Sequence, residues 1–160
     1  MDTGQGTQVL NRLVYSVVIL TVADGDEING MPVSWITQVS GDPLLVAVCI
    51  SPARYSHHMI DSAGCFALNL LSDNQKDMVD RFKLAGDRRE KKFEGLTITR
   101  GVTGAPIIRE CPAHVECRVR DSHAPGDHTL FIGEVVAAGT RSEGPTLDTT
   151  TYGKGYTGRA

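Results

Sequence analysis

Polar and apolar positions along the chain fall into a series of short runs, most of them too short for anything but strands. Residues 15–23 (YSVVILTVA) are rich in β-branched side chains and apolar on both faces, which predicts a strand covered on each side. Residues 31–40 alternate instead. The odd positions Met31, Val33, Trp35, Thr37 and Val39 are mostly apolar, and the even positions Pro32, Ser34, Ile36, Gln38 and Ser40 mostly polar. That pattern predicts a half-covered strand, with Pro32 at its start or on a sheet edge because it has no N–H to donate. Between the two runs, residues 24–30 read as a turn-rich connection with signals at Asp24-Gly25 and Asn29-Gly30.

After a turn at Gly41-Asp42-Pro43, residues 44–50 are apolar on both faces and predict a deeply buried strand. A short helix is expected over residues 57–63, with Ser56 as its N-cap and Gly64 closing it. Residues 65–71 predict another strand. Ser72 and Gln75 have capping-box spacing and open a helix whose apolar stripe is Met78, Val79, Phe82 and Ala85, with Asp77 and Arg81 one turn apart. That helix stops at Gly86, and residues 87–92 (DRREKK) read as a solvated, charged connector. Residues 113–122 and 129–139 form a long hairpin. The final stretch, residues 146–160, is polar and Gly-rich, with Tyr152 and Tyr156. The expected fold class is therefore mainly β: six or seven antiparallel strands in a Greek-key barrel with two or so peripheral helices, since helices do not alternate regularly with strands.

Composition sharpens this only at the margins. The 160 residues predict one domain, residues 1–160, large enough to bury a core without disulfides or metal. Sixteen basic against nineteen acidic residues leave a formal charge of −3, which gives no reason to expect nucleic acid or an anionic membrane as partner. No apolar run is long enough to span a bilayer, and the first residues lack the blocks of a secretory signal, so a cytoplasmic location is the default expectation.

Motifs for catalysis are scarce. The chain has no G-x-S-x-G elbow, no phosphate-binding P-loop, no G-x-G-x-x-G and no H-E-x-x-H. Cys49, Cys65, Cys111 and Cys117 show no C-x-x-C pair. Cys111, His114 and Cys117 have a symmetrical spacing, but on a strand the two thiols face one side and the imidazole the other, so buried structural cysteines are expected and no metal. One segment does suggest a ligand. Arg54, Tyr55 and Ser56 lie where a buried strand passes to a helix start, where free N–H groups and a guanidinium favour an anion. A capping Ser56 with a solvated Arg54 explains the same residues.

Residues 29–43 (NGMPVSWITQVSGDP) resemble the flavin reductase-like family of FMN-binding split barrels, in particular its flavoredoxin-type members. Further segments agree in order: residues 45–51 (LVAVCIS), 54–57 (RYSH), 64–71 (GCFALNLL), Lys92-Phe93, and residues 126–135 (GDHTLFIGEV). The resemblance runs from about residue 15 to residue 136. It implies FMN, less often FAD, held noncovalently at the barrel edge of a homodimer with the flavin at the subunit interface. It places the ring along Met31, Val33, Ser34 and Trp35, with Asn29-Gly30 allowing close backbone approach. It places the phosphate near Ser51, Arg54, Tyr55 and Ser56.

Within a regular strand Ser34 and Trp35 point to opposite faces, so Trp35 is expected either in the core or at the ring, but not beside Ser34 unless the strand bends. His128, following Gly126-Asp127, is the candidate catalytic residue beside the ring or the incoming nicotinamide; a surface turn histidine is the alternative. Hydride passes directly from NAD(P)H to flavin, so no side-chain nucleophile is needed. The implied function is an NAD(P)H-dependent flavin reductase serving a monooxygenase or other acceptor. The alternatives are a flavoredoxin-like FMN electron carrier that does not itself oxidise nicotinamide, and a barrel that has lost its flavin. The chain departs from the family's pattern at Pro32, where relatives often have Thr, and at Leu44, where they often have a second proline. The role of the Tyr152 and Tyr156 tail in covering a cofactor is open.

Overall fold

In a computed structural model, which describes residues 3–84 and 91–153, the apolar runs become nine strands and four α-helices. In chain order these are α1 (Thr3–Leu10), β1 (Val18–Asp24), β2 (Glu27–Val33), β3 (Ile36–Gly41), β4 (Leu44–Ile50), α2 (Tyr55–Ala63), β5 (Cys65–Leu70), α3 (Lys76–Phe82), β6 (Ile98–Arg100), β7 (Pro106–Ile108), β8 (Ala113–His123), β9 (Thr129–Thr140) and α4 (Thr149–Tyr152). Seven strands make one antiparallel sheet in the order β2-β1-β5-β8-β9-β4-β3, and β6 with β7 forms a separate hairpin. The mainly β, antiparallel class read from the sequence is what the chain forms.

Two apolar clusters explain why the sheet curves. The first takes Val18, Leu20 and Val22 from β1, Val33 from β2, Val48 and Ile50 from β4, Phe66 and Leu68 from β5, Cys117 from β8 and Phe131 from β9. Met59 and Ile60 of α2 join it, with Ile36 of β3 packed at its margin. All seven strands thus face one cluster, and the sheet must wrap around it. The second cluster lies on the outer face, where Val17 and Ile19 meet Met78, Val79 and Phe82 of α3, together with Leu71, Ile108, Cys111 and Leu147. β1 is therefore covered on both sides, as its unbroken apolar run predicts.

The two edge strands, β2 and β3, are consecutive in sequence. The run expected as one strand over residues 31–40 breaks at Ser34-Trp35, where Ile36 N donates to the Ser34 carbonyl across a tight bend. Trp35 keeps a foothold in the sheet, its carbonyl accepting from Cys49 N at 3.0 Å. Pro32 sits on edge strand β2, where a missing donor is tolerated.

Several expectations need correction. The connection from β1 to β2 is a two-residue turn, Gly25-Asp26, with Gly25 at φ +59°. Asn29 and Gly30 are not a turn; they lie inside β2, paired with Val22 and Thr21. Gly30 is needed there because a Cβ would come within 2.7 Å of the Phe82 ring and 3.2 Å of the Leu20 carbonyl. Gly30→Ala is expected to cost about 1–3 kcal/mol through this overpacking, read as a lower denaturant midpoint with unchanged slope.

α2 starts at Tyr55, not after Ser56, and Arg54 occupies the cap with no side-chain capping bond. Only half of the capping box at Ser72 forms: Gln75 Oε1 accepts from Ser72 N, while the Ser72 hydroxyl turns to Asn74. Arg81 donates to the Glu94 carbonyl. Ala85, Gly86 and residues 87–90 of the connector lie outside the described residues, but Lys92 is 4% exposed, so the solvated reading fails there.

Cys111 belongs to the outer cluster and Cys117 to the inner one, and burial pushes both thiols up to about 12. Among the described residues no group of His, Cys, Asp and Glu could hold a metal ion. Nor is any helix among them long and apolar enough to cross a membrane.

Candidate functional site

The bend at Ser34-Trp35, the turn after β4, the start of α2 and the loop before β9 are drawn together by four contacts. Asn29 Nδ2 donates to Ser56 Oγ at 3.0 Å, joining β2 to α2. His57 Nε2 lies 2.7 Å from Thr129 Oγ1, joining α2 to β9. The Trp35 and His128 rings meet at 4.9 Å between centroids, tilted by 48°, joining the bend to the loop. Cys49 N completes the circuit to Trp35. A long-range sheet register thus gathers residues that are far apart in sequence around one end of the sheet.

At the helix end of this arrangement one buried donor is left over among the described residues. Ser51 Oγ accepts from Ala53 N at 3.3 Å, and the Ser51 carbonyl accepts from Arg54 N at 2.9 Å, so the turn is built around Ser51. Arg54 Nε is buried and has no hydrogen-bond partner among the described residues. An orphaned guanidinium N–H at a helix start calls for an anionic acceptor. Tyr55 does not add to that cluster through its hydroxyl, which donates to the Glu27 carboxylate at 2.8 and 2.9 Å and ties α2 to the first residue of β2. Ser56 is 1% exposed, and its oxygen is engaged by Asn29; its role is to anchor α2 to β2.

At the other end, β2 delivers the bend. Strand rise places Val33 about 13 Å from Asn29. Met31 and Val33 turn their side chains into the inner cluster, so what they can offer a ligand is backbone. Ser34 is half-buried on the bend itself, and Trp35 is half-buried against His128 rather than part of either apolar cluster. The bend resolves the facing problem set by regular alternation. His128 is 7% exposed and not a solvated turn residue. Its Nδ1 lies 2.7 Å from Asp127 Oδ1, and that bond holds the exposed Asp127 carboxyl below its usual range.

Two residues at the site are not among the candidates that the sequence offers. Lys92 donates from its amine to Asn29 Oδ1 at 2.9 Å and to the Gly30 carbonyl at 2.8 Å. His57 packs edge-on against Phe131, and its Nδ1 is buried with no partner among the described residues. Their only signal is membership of segments that resemble the family, Lys92 in the Lys92-Phe93 pair and His57 in residues 54–57 (RYSH).

Burial and then His58 push the His57 imidazole down, and burial and then Arg141 do the same for His114. The unfolded chain therefore binds more protons at these positions than the folded one. Stability is then full above the ordinary imidazole value of about 6.5 and falls as pH drops through it. Thermal unfolding between about pH 8 and pH 5 is expected to follow that sign, with a shallower slope in His57→Gln.

Tyr152, from the tail, docks elsewhere: its hydroxyl donates to Asp80 at 2.9 Å, and its ring lies 4.8 Å beneath the Lys83 amine on α3. Tyr156 lies outside the described residues.

A family model for the flavin reductase-like domain matches residues 10–158. A flavin reductase of Pseudomonas putida is 35% identical over 95% of this chain and 87% of its own. The reductase subunit of a flavin-dependent monooxygenase from Rhodococcus jostii is 32% identical over 92% of this chain and 74% of its own. The chain spans 54% of an uncharacterized Aeropyrum pernix protein that is 37% identical to it. Among solved structures, the NADH:FAD oxidoreductase SgcE6 of Streptomyces globisporus superposes with a TM-score of 0.81 at 28% identity, covering 99% of this chain and 85% of that one.

Proposed function

The chain belongs to the flavin reductase-like domain family, and from that premise we propose that it is an NAD(P)H-dependent flavin reductase, built as one domain over residues 1–160, with FMN as its flavin and FAD as the alternative. The observation that carries the reading is the pairing of a helix start, where Arg54 Nε lacks an acceptor among the described residues, with a half-buried backbone bend about 13 Å along β2. A flavin mononucleotide has the same two ends: a phosphate and a flat ring with hydrogen-bonding edges.

Bound flavin would supply a two-electron acceptor for hydride from nicotinamide. The residues have the following roles in this reading. Arg54 neutralises the phosphate at the start of α2. Backbone of residues 31–35 with the Ser34 hydroxyl holds the ring edge. His128, backed by Trp35 and oriented by Asp127, borders the space where nicotinamide stacks. The site lies at the sheet edge where β2 ends, which favours a homodimer with the flavin at the subunit interface. A cytoplasmic reductase passing reduced flavin to a monooxygenase or other acceptor protein is the corresponding context.

Following nicotinamide absorbance with purified protein, FMN or FAD, and NADH or NADPH tests the reading. Steady oxidation is the expected result, and none with either nicotinamide sinks the reductase assignment in favour of an electron carrier. In the same assay His128→Ala is expected to slow turnover at least about tenfold while changing flavin affinity less than about threefold.

A further inference from the structure

Lys92 is buried, and its amine is directed at two oxygens of one strand: the Gly30 carbonyl at 2.8 Å and Asn29 Oδ1 at 2.9 Å. Desolvating an amine is expensive, and an unbranched apolar side chain would fill the same volume at lower cost. What the amine adds is direction. Facing oxygen, it donates, and that assigns the Asn29 side chain: Oδ1 toward Lys92, and therefore Nδ2 toward Ser56. The 3.0 Å bond from Asn29 Nδ2 to Ser56 Oγ is the second half of a relay that begins at Lys92.

The relay crosses from β2 to the first turn of α2, next to Arg54. The other Lys92 bond fixes the carbonyl of the peptide that leads into Met31. Phe93 works on the same place from the other side: its ring meets Phe82 edge-on at 5.2 Å, and the Phe82 ring occupies the space a Cβ on Gly30 would need. The Lys92-Phe93 pair thus holds β2 at Gly30 by its carbonyl and by its α-carbon at once.

We propose that Lys92 is a positioning residue for the flavin site: acting through Asn29 and Gly30, it sets the distance between the ring strand and the phosphate turn, so that one flavin nucleotide engages both. The inference rests on the flavin reading above. Lys92 itself need not touch the ligand; its effect is on whether the phosphate end and the ring end are satisfied together.

The test compares FMN with riboflavin, which carries the same ring and no phosphate, by fluorescence titration, alongside the melting temperature of each flavin-free protein. In Lys92→Met the preference for FMN over riboflavin falls about tenfold, while riboflavin affinity changes less than about threefold. Asn29→Ala leaves the Lys92–Gly30 bond available and loses a comparable share of the preference, and the double variant loses little more than either alone.

A lowered melting temperature with unchanged preference overturns the inference and leaves Lys92 a structural pin; full additivity of the two substitutions overturns it as well. Should Lys92→Met fail to fold, Asn29→Ala decides, and a retained preference there overturns the relay. A wild-type protein that binds both flavins equally refutes the inference while the flavin reading stands. One that binds neither fails the flavin reading itself, and the inference with it.

Discussion

Replacing Asn69 by alanine will lower the stability of the fold by about 3–5 kcal/mol, the sum of several buried polar groups left unpaired and a small cavity. Asn69 is fully buried near the end of β5. Its Nδ2 donates to Thr21 Oγ1 at 3.0 Å, to the Ile19 carbonyl at 3.2 Å and to the Pro106 carbonyl at 3.4 Å, and its Oδ1 accepts from Ile108 N at 2.8 Å. The Thr21 hydroxyl itself donates to Pro106 O. One amide therefore fastens the β6–β7 hairpin onto β1 and β5. No apolar replacement satisfies Ile108 N, so Asn69→Leu is expected to fare no better despite its volume. Chemical denaturation measures the loss, and hydrogen exchange locates it: the Ile108 amide should show the largest gain in exchange rate. A loss below about 1 kcal/mol would mean that water takes over these bonds and that the hairpin is held by packing alone.

Arg54→Ala is expected to split stability from binding. In the flavin-free protein the buried Nε has no acceptor among the described residues, so removing it relieves a cost, and the melting temperature should hold or rise. FMN binding should weaken by about 2–4 kcal/mol, roughly 30- to 1,000-fold, because charge-assisted bonds to a phosphate are lost. Riboflavin binding should barely change. Equal weakening of both flavins would move the phosphate away from this turn, and no weakening of either would remove Arg54 from the site. Ser56→Ala, in contrast, should lower stability as well as affinity, because its oxygen is an anchor for β2.

The strands were legible because their apolar runs are long and their periods clean: β8 and β9 fall within a residue of the pattern, and β1 shows its double-sided burial in its composition. The errors share one cause. Asn29-Gly30 has the local chemistry of a turn, but Gly30 is selected by the Phe82 ring, a contact made through α3 that no local window contains. Ser56 looks like a cap, yet it spends its oxygen on Asn29 in another element. Lys92 sits in a run of charges, and only the tertiary fold turns it inward. The bend at Ser34-Trp35 has neither glycine nor proline at the break to announce it; it follows from closing one sheet with two consecutive strands. The site's chemistry was thus partly readable in residue types, while its wiring was not, because the contacts that join β2, α2, β9 and the Lys92 segment link residues far apart in sequence.

Leu147 sits at the far end of that register. Its N–H reaches the Leu71 carbonyl and its carbonyl receives Val17 N, both at 2.8 Å, and its side chain is fully buried in the outer cluster. During synthesis the first strand leaves the ribosome long before this partner does. The outer layer beneath α3 must therefore wait for residue 147 before Val17 N and the Leu71 carbonyl find their partner. A nascent chain stalled before residue 147 should leave these two backbone groups unpaired and the outer cluster incomplete.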